Sequence, residues 1–211
     1  MAIQINGDGT ITGINVGGLP DGIVDTDMLA TNAVATAKIA DNAVTTAKST
    51  GLQRRVSTAL TLPTNAGEIT HNLTSGVKKI EILLSNVSGT GDNNLHVQIG
   101  DSGGIQTSGY GHAMGYHRSS SPAVSNSTGA FATLGLNSSS YHIWGKWILF
   151  NSFANTWVSS FSLWGDIANN HEFWGIGNCT LSNPITSFKL YLGSGNFDQG
   201  YLTIVETMAD A

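Results

Sequence analysis

A ten-residue repeat between residues 23 and 52 constrains this chain more than any other feature of its sequence. Its three units align on a valine, on a threonine two positions later and, in the last two units, on a lysine; the aligned residues are Val24, Val34, Val44, Thr26, Thr36, Thr46, Lys38 and Lys48. A repeat of fixed period indicates a structural unit that cannot bury its apolar face alone. Because three such units offer too little apolar surface for a core, we expect the remainder to come from other chains.

The repeat therefore predicts an oligomeric stalk rather than an enzyme. In the last two units, Thr-Ala-Lys favours one short helical turn, and Asp41-Asn42 interrupts the pattern because Asp and Asn prefer caps and turns to helix interiors. A period of ten with sparse bulky residues is not typical of a heptad coiled coil. We expect contacts between chains at the large aliphatic residues of the stalk: Val24, Leu29, Val34, Ile39 and Val44.

Residues 1–22 form a separate segment with a hairpin signal. Four isoleucines, Ile3, Ile5, Ile11 and Ile14, flank the turn sequence Asn-Gly-Asp-Gly at 6–9. Asn-Gly between alternating apolar residues is typical of a β-hairpin. Since a two-stranded ribbon is marginal in water, we expect the hairpin to dock on another protein. The alternative is a disordered tail whose patterning is incidental.

Composition narrows the class of protein and its partners. The chain has 211 residues, of which 11% are charged, and its net charge is −5. This charge argues against nucleic acid as the main partner. No apolar run approaches the roughly 18 residues that span a bilayer, so no membrane insertion is expected. The single Cys179 excludes an intramolecular disulfide, and we expect it to be a buried small apolar residue.

From residue 56 onward the pattern predicts an all-β domain. Short apolar or alternating segments are separated by turn-rich stretches; the predicted strands are 56–62, 77–84, 95–99, 130–136, 141–150, 156–164, 172–180, 185–192 and 201–207. Such a series favours a β-sandwich or jelly roll over an α/β fold. The segment 101–129 is rich in Gly and Ser, and it predicts a long loop that is either functional or mobile.

The sequence contains no arrangement of residues that indicates catalysis. Carboxylates are scattered, and the chain has no Gly-x-Ser-x-Gly, phosphate-loop or His-Glu-x-x-His motif. We therefore predict that the protein is not an enzyme and holds no cofactor. His112 and His117 lie five residues apart without neighbouring carboxylates, which is weak evidence for a metal, and no metal site is predicted. The alternative is a metal bound by symmetry-related histidines on an oligomer axis.

All five tryptophans fall within residues 144–174. Trp144 and Trp147 have opposite parity on one predicted strand, so they cannot both face its core. One of them is expected to face a neighbouring chain, a ligand or solvent. Two roles remain open for the five tryptophans: packing in the core or at a subunit interface, and stacking on a glycan.

Several of these stretches resemble known virion proteins. The opening Met-Ala-Ile-Gln-Ile-Asn-Gly-Asp-Gly and the motif Asn-Ala-Val-x-Thr-Ala-Lys at 32–38 and 42–48 resemble tail-fibre and structural proteins of phages that infect cyanobacteria and other marine bacteria. The stretches 77–84, 96–104 and 185–205 resemble a β-sandwich module found at the ends of phage fibres. The resemblance touches most of the chain.

The resemblance implies a homotrimer on the virion surface. Residues 1–22 would anchor it to another virion protein of the tail, baseplate or capsid, with Ile3, Ile5, Ile11 and Ile14 in contact. Residues 23–55 would be the trimerising stalk and 56–211 a jelly-roll-like β-sandwich head. The implied function is that of a short tail fibre that binds a host-surface glycan or protein without catalysis. The expected contacts are Tyr110, His112, Tyr116, His117 and Trp147. Because the array has only three units, a capsid decoration, cement or head-fibre protein is the alternative.

Overall fold

A computed structural model describes residues 4–5, 11–12, 55–90, 94–118, 121–132, 141–165 and 171–208. The chain divides into two compact units, Met1–Ser49 and Thr50–Ala211. In the first unit, β1 (Gln4–Ile5) pairs antiparallel with β2 (Ile11–Thr12), and Ile5 lies opposite Ile11, as the predicted hairpin requires. The other predicted anchor residues, Ile3 and Ile14, and the stalk residues Val24, Leu29, Val34, Ile39 and Val44 lie outside the described residues.

The described part of the second unit consists of strands and turns without helix, so the all-β prediction is confirmed. No helix in the described ranges is long and apolar enough to cross a membrane. The strands form two sheets, and every pairing within them is antiparallel.

The larger sheet has eight strands. They are β3 (Arg55–Thr61), β5 (Val77–Gly89), β8 (Tyr110–Arg118), β9 (Ser121–Ser127), β11 (Ile143–Phe153), β12 (Thr156–Gly165), β13 (His171–Thr180) and β15 (Phe197–Met208). Their order across the sheet is β3-β15-β5-β11-β12-β13-β8-β9. The middle of the sheet is thus a meander from β11 to β13, with β5, β15 and β3 on one side of it and β8 and β9 on the other.

The smaller sheet has five strands. They are β4 (Glu68–Asn72), β6 (Leu95–Asp101), β7 (Gly104–Ile105), β10 (Phe131–Ala132) and β14 (Ser187–Leu192). Four of them follow the order β10-β6-β14-β4, and β7 pairs with β6. The neighbours β6 and β14 are far apart in sequence, so this sheet depends on long-range pairing.

The prediction of a long loop over 101–129 is wrong in its larger part, because β7, β8 and β9 lie within it. In β8 the large residues Tyr110, His112, Met114 and Tyr116 alternate with Gly or Ala. This is the period-two pattern of a half-buried strand. It lacks the usual aliphatic residues, and its glycines are also typical of turns.

One apolar core contains residues from both sheets. The larger sheet contributes Ile80, Ile82, Trp147, Leu149, Phe161 and Ile204, and the smaller sheet contributes Leu95, Val97, Ile99, Phe188 and Leu190. Tyr110 of β8 also reaches β6, because its hydroxyl accepts a hydrogen bond from the N–H of Ile99 at 2.8 Å. The hydroxyl of Tyr110 lies 3.0 Å from the carbonyl oxygen of Gln106, to which it donates. The buried polar tip of this tyrosine is therefore satisfied.

Glu206 is a buried carboxylate that links β15 to the β4 region. Its side chain lies on the core-facing side of β15, and the residue is only 2% exposed. Its Oε1 lies 3.1 Å from Nε2 of His71, and its Oε2 accepts the N–H of Thr74 at 2.7 Å. Each carboxylate oxygen thus has a partner, as a buried charge requires.

Replacing Glu206 with alanine is expected to lower the free energy of unfolding by about 1–3 kcal/mol, because partly buried hydrogen-bonding groups of His71 and Thr74 lose their acceptor. Urea unfolding followed by circular dichroism measures the change. The matched control is Glu68→Ala, which removes an ion pair of 3.3 Å with Lys189. Since Glu68 is largely exposed, that loss should stay below about 1 kcal/mol. Equal losses in the two variants would contradict the buried role of Glu206.

Candidate binding surface

Three tryptophans lie together on the outward face of the larger sheet. The same alternation that turns Trp147 and Phe161 into the core turns Trp144, Trp164 and Trp174 away from it. Trp144 lies directly opposite Trp164 across β11 and β12, and Trp164 lies opposite Glu172 of β13. We call Trp144, Trp164 and Trp174, with Glu172, the tryptophan surface.

The indoles of this surface are partly open to solvent. Trp164 is 42% exposed and Trp174 is 47% exposed, whereas Trp144 is half-buried. The ring centroids of Trp144 and Trp164 are 5.2 Å apart, and the two ring planes form an angle of 42°. The ring centroid of His142 lies 5.8 Å from that of Trp144. Such contacts hold both indoles in place while leaving part of each ring accessible.

Trp174 lies across the neighbouring strand β8 at a glycine. A Cβ atom added at Gly115 would stand 2.7 Å from Cζ2 and 2.8 Å from Cε2 of Trp174. No real Cβ atom is found so close to an aromatic carbon, so only glycine lets the indole rest on the backbone here. One side of the ring is thereby packed on β8.

Two depressions adjoin Trp174. The larger depression has a volume of about 530 Å³, and the outward-facing residues that line it are those of the tryptophan surface and Ser162. The smaller, of about 370 Å³, includes Ser160, Ala113 and Ile176. Both volumes fall within the range of small-ligand sites, roughly 300–1,000 Å³.

The tryptophan surface lies at one end of the strands. The chain enters the larger sheet at Arg55, in a row that continues through Thr207 and Lys79 to Phe150. Trp144 lies six positions before Phe150 on β11, which corresponds to roughly 20 Å along an extended strand. The surface is thus near the end opposite to the one where β3 begins.

Charge near the surface is sparse. Glu172 is the ionisable residue among those described around the larger depression. Beside the surface on β11, Nζ of Lys146 lies 3.6 Å from Oε1 of Glu81, and Lys79 lies 3.4 Å from the other oxygen of that carboxylate. These two lysines are therefore engaged with Glu81, and the larger depression itself carries one carboxylate.

The structure corrects three of the five predicted host contacts. Tyr110, His112 and Trp147 are 2%, 6% and 0% exposed, so their side chains cannot reach a large ligand. Nε1 of Trp147 donates to Oγ of Ser159 at 2.8 Å within the core. The physical reason is parity: each of these residues lies on the core-facing side of its strand.

The other two predicted contacts stay accessible. Tyr116 is half-buried, and His117 is exposed and pairs with Glu172 across β8 and β13. His117 therefore borders the tryptophan surface. Sequence reasoning missed Trp164 and Trp174 as surface residues, although both share the even parity of Trp144 within strands that pair without an offset.

Buried titratable groups in this unit have shifted pKa values. Burial raises the pKa of the Cys179 thiol to about 11, which makes it a poor nucleophile at neutral pH. Burial likewise raises the pKa of Tyr110. Among the described residues, no three His, Cys, Asp or Glu side chains are grouped so that they could hold a metal ion.

Two histidines are kept neutral by their surroundings. The ring of His96 stacks on Tyr191 at 4.8 Å. Burial, with a smaller effect from His112, lowers the pKa of His96 to about 4 from 6.5, and burial lowers the pKa of His112 as well. The unfolded chain therefore binds protons at a higher pH than the folded chain, so stability present above about pH 6.5 is lost as the pH falls toward 4.

Acidification from about pH 7.5 to about pH 4.5 is expected to lower the free energy of unfolding by roughly 1–2 kcal/mol, because His96 takes up a proton less readily in the folded chain. This figure allows for the solvent that reaches its half-buried ring. Urea unfolding at several pH values across this range measures the slope of the free energy of unfolding against pH. The variant His96→Phe keeps a stacking ring without a titrating group and should have a shallower slope than the original chain. Phe153→Ala, at an exposed position that carries no titrating group, is the control and should keep the original slope. An unchanged slope in His96→Phe would contradict the assignment.

Comparison with protein-family models, with curated proteins and with solved structures finds no match to this chain.

Proposed function

We propose that this chain is a structural protein of a phage virion, a short homotrimeric tail fibre that binds the host surface without catalysis. The observation that carries the proposal is the tryptophan surface, a set of partly exposed indoles held on paired strands. Tryptophan is the residue most enriched at binding hot spots. A surface preformed on strands binds without paying the ordering cost of a flexible loop.

In this proposal, residues 56–211 are a jelly-roll-like β-sandwich head in which the two sheets pack on each other. The common core supports this arrangement, as do the contacts of Glu206 with His71 and of Tyr110 with Ile99. Residues 1–22 anchor the fibre to another virion protein, and residues 23–55 form the trimerising stalk.

The position of the tryptophan surface supports a host-facing role. It lies near the end of the strands opposite to Arg55, where the chain coming from the repeat enters the larger sheet. Three copies in one fibre would present three such surfaces. Multivalency then compensates for weak binding by each of them.

Host-cell adsorption tests the proposal. Excess purified full-length protein should block adsorption of the phage that carries it, and Trp164→Ala with Trp174→Ala should abolish the block. The matched control is Phe153→Ala, which removes another exposed aromatic residue, 81% accessible, at the far end of β11. Failure of the original protein to block adsorption would contradict the receptor-binding role.

The shortness of the repeat array favours a second candidate, a capsid decoration, cement or head-fibre protein anchored through its N-terminus. Gold-labelled antibody against the head domain distinguishes the two by electron microscopy of intact particles. Label confined to the tail supports the fibre. Label over the whole shell supports the decoration protein and contradicts the fibre.

A further inference from the structure

We propose that the ligand of the tryptophan surface is an uncharged oligosaccharide, bound with consecutive sugar units in the two depressions that share Trp174. This inference rests on the proposed host-binding function and names the chemical class of the ligand. It follows from the shape, the polarity and the charge of the surface.

The shape of the surface suits pyranose rings. A pyranose presents a flat face of C–H groups that stacks on an indole, and partly exposed indoles whose other side is packed are suited to such stacking. Trp174 meets this description, because one side of its ring rests on Gly115 while the residue is 47% exposed. The two depressions share Trp174, so an extended chain of sugars can occupy both.

The polar groups of the surface suit hydroxyl-rich ligands. Between the indoles, Ser160 and Ser162 face outward from β12, and Glu172 faces outward from β13. Serine hydroxyls donate and accept hydrogen bonds, and a carboxylate accepts them. Sugar hydroxyls can satisfy all three groups at once.

The same polar groups disfavour a second copy of the chain as the occupant. An apolar face of another subunit would bury Glu172 and the two serines without partners. An unpaired buried polar group costs free energy, and an unpaired buried charge costs more. A sugar covers the indoles and brings hydrogen-bond donors to the carboxylate.

The charge of the surface selects against acidic sugars. Glu172 is the ionisable group described around the larger depression, and the lysine beside it on β11, Lys146, is paired with Glu81. The chain as a whole carries a net charge of −5. A carboxylated or phosphorylated sugar would place like charges together, so we expect neutral sugars to bind better.

Titration of the full-length protein tests the inference. The probes are the neutral hexasaccharides of the malto-, cello-, laminari- and chito- series, with hexagalacturonate as the acidic counterpart, followed by tryptophan fluorescence and calorimetry. We expect at least one neutral series to bind with a dissociation constant below about 10 mM, and its affinity to rise from monosaccharide to oligosaccharide. Hexagalacturonate should bind at least about tenfold more weakly.

Two variants locate the site. Trp174→Ala should weaken binding by about tenfold or more, and Trp174→Phe should weaken it less because a ring remains. Gly115→Ala adds a Cβ that displaces the indole and should also weaken binding. Phe153→Ala is the control and should bind as the original chain does. The oligomeric state of each variant is measured by light scattering.

The outcomes separate this inference from the proposed function. Absence of binding in all four neutral series overturns the sugar ligand. If Trp174→Ala still abolishes the block of adsorption in that case, the host-binding function stands and the receptor is a protein. Saccharide binding without any block of adsorption supports the sugar site and contradicts the host-binding function. Dissociation of the oligomer in Trp174→Ala alone would make the surface a subunit interface and would also overturn the inference.

Discussion

Replacing Trp147 with alanine is expected to lower the free energy of unfolding by about 3–5 kcal/mol. Trp147 is fully buried, and it lies between Ile82 of β5 and Phe161 of β12 in the middle of the larger sheet. Its ring centroid is 4.5 Å from that of Phe161. The substitution removes the largest apolar side chain at this point and leaves a cavity that paired strands on both sides cannot close.

The loss at Trp147 has a polar component as well. Nε1 of Trp147 donates to Oγ of Ser159 at 2.8 Å, and Ser159 is 1% exposed. Alanine leaves the buried hydroxyl without this partner. Trp147→Phe keeps an aromatic ring and loses the donor with only part of the volume, so it should be less destabilising than alanine.

Urea unfolding of the purified full-length chain measures these changes. Trp164→Ala is the matched control, because it removes the same side chain from the outward face of the adjacent strand. Its loss should stay within about 1 kcal/mol. A Trp147→Ala variant as stable as Trp164→Ala would contradict the assignment of Trp147 to the core.

Replacing Gly145 with alanine is expected to destabilise the domain by about 3 kcal/mol or more. Gly145 has a φ of +139°, which L-residues rarely adopt, and it stands where the register of β11 shifts against β5. An added Cβ would clash with the carbonyl oxygen of Ser162 and stand 2.8 Å from Cα of Leu163. Both atoms belong to the backbone of β12, which cannot move without breaking its pairing with β11.

Gly76→Ala separates backbone strain from the clash. Gly76 has a φ of +83°, but an added Cβ would meet no atom within 4 Å. Gly76→Ala should therefore lower the free energy of unfolding through backbone strain alone, by about 1–2 kcal/mol. Thermal unfolding compares the two variants at equal protein concentration. If Gly145→Ala and Gly76→Ala destabilise the domain equally, the close approach of β12 at Gly145 is not a determinant of stability.

Gly145→Ala should also disturb the tryptophan surface, because Trp144 is the preceding residue and lies opposite Trp164. Fluorescence of the exposed tryptophans in the folded variant reports this change. A core substitution such as Trp147→Phe lacks this local link to Trp144.

The strands that the sequence predicts well are those with aliphatic alternation. In β5, Ile80, Ile82 and Leu84 face the core as their spacing indicates, because side chains of a strand alternate between two faces. The strands β8 and β9 were not predicted, since Tyr, His and Met replace the aliphatic residues of β8 and Gly separates them. The short strand β4 was also not predicted, because its apolar residues are too few to reveal a period.

The candidate surface was predictable only in part. The parity argument correctly places Trp144 and Trp147 on opposite faces of one strand. It does not say which face is buried, and Trp147, one of the chosen contacts, proved to be the buried one. The meeting of Trp144, Trp164 and Trp174 follows from the register of three strands, which no local pattern encodes.

The sequence by itself determined the all-β class of the second unit and the hairpin pairing at the N-terminus, because both depend on a local period of two and on turn residues. It also supplies the ten-residue repeat, from which an oligomeric stalk remains a prediction. For strands such as β11, which carry large apolar residues on both faces, the tertiary structure alone decided which side is outward. The face of such a strand that is buried is settled only when distant strands pair with it and residues of both sheets join one core. That long-range closure buries Tyr110, His112 and Trp147, and it leaves Trp164 and Trp174 exposed.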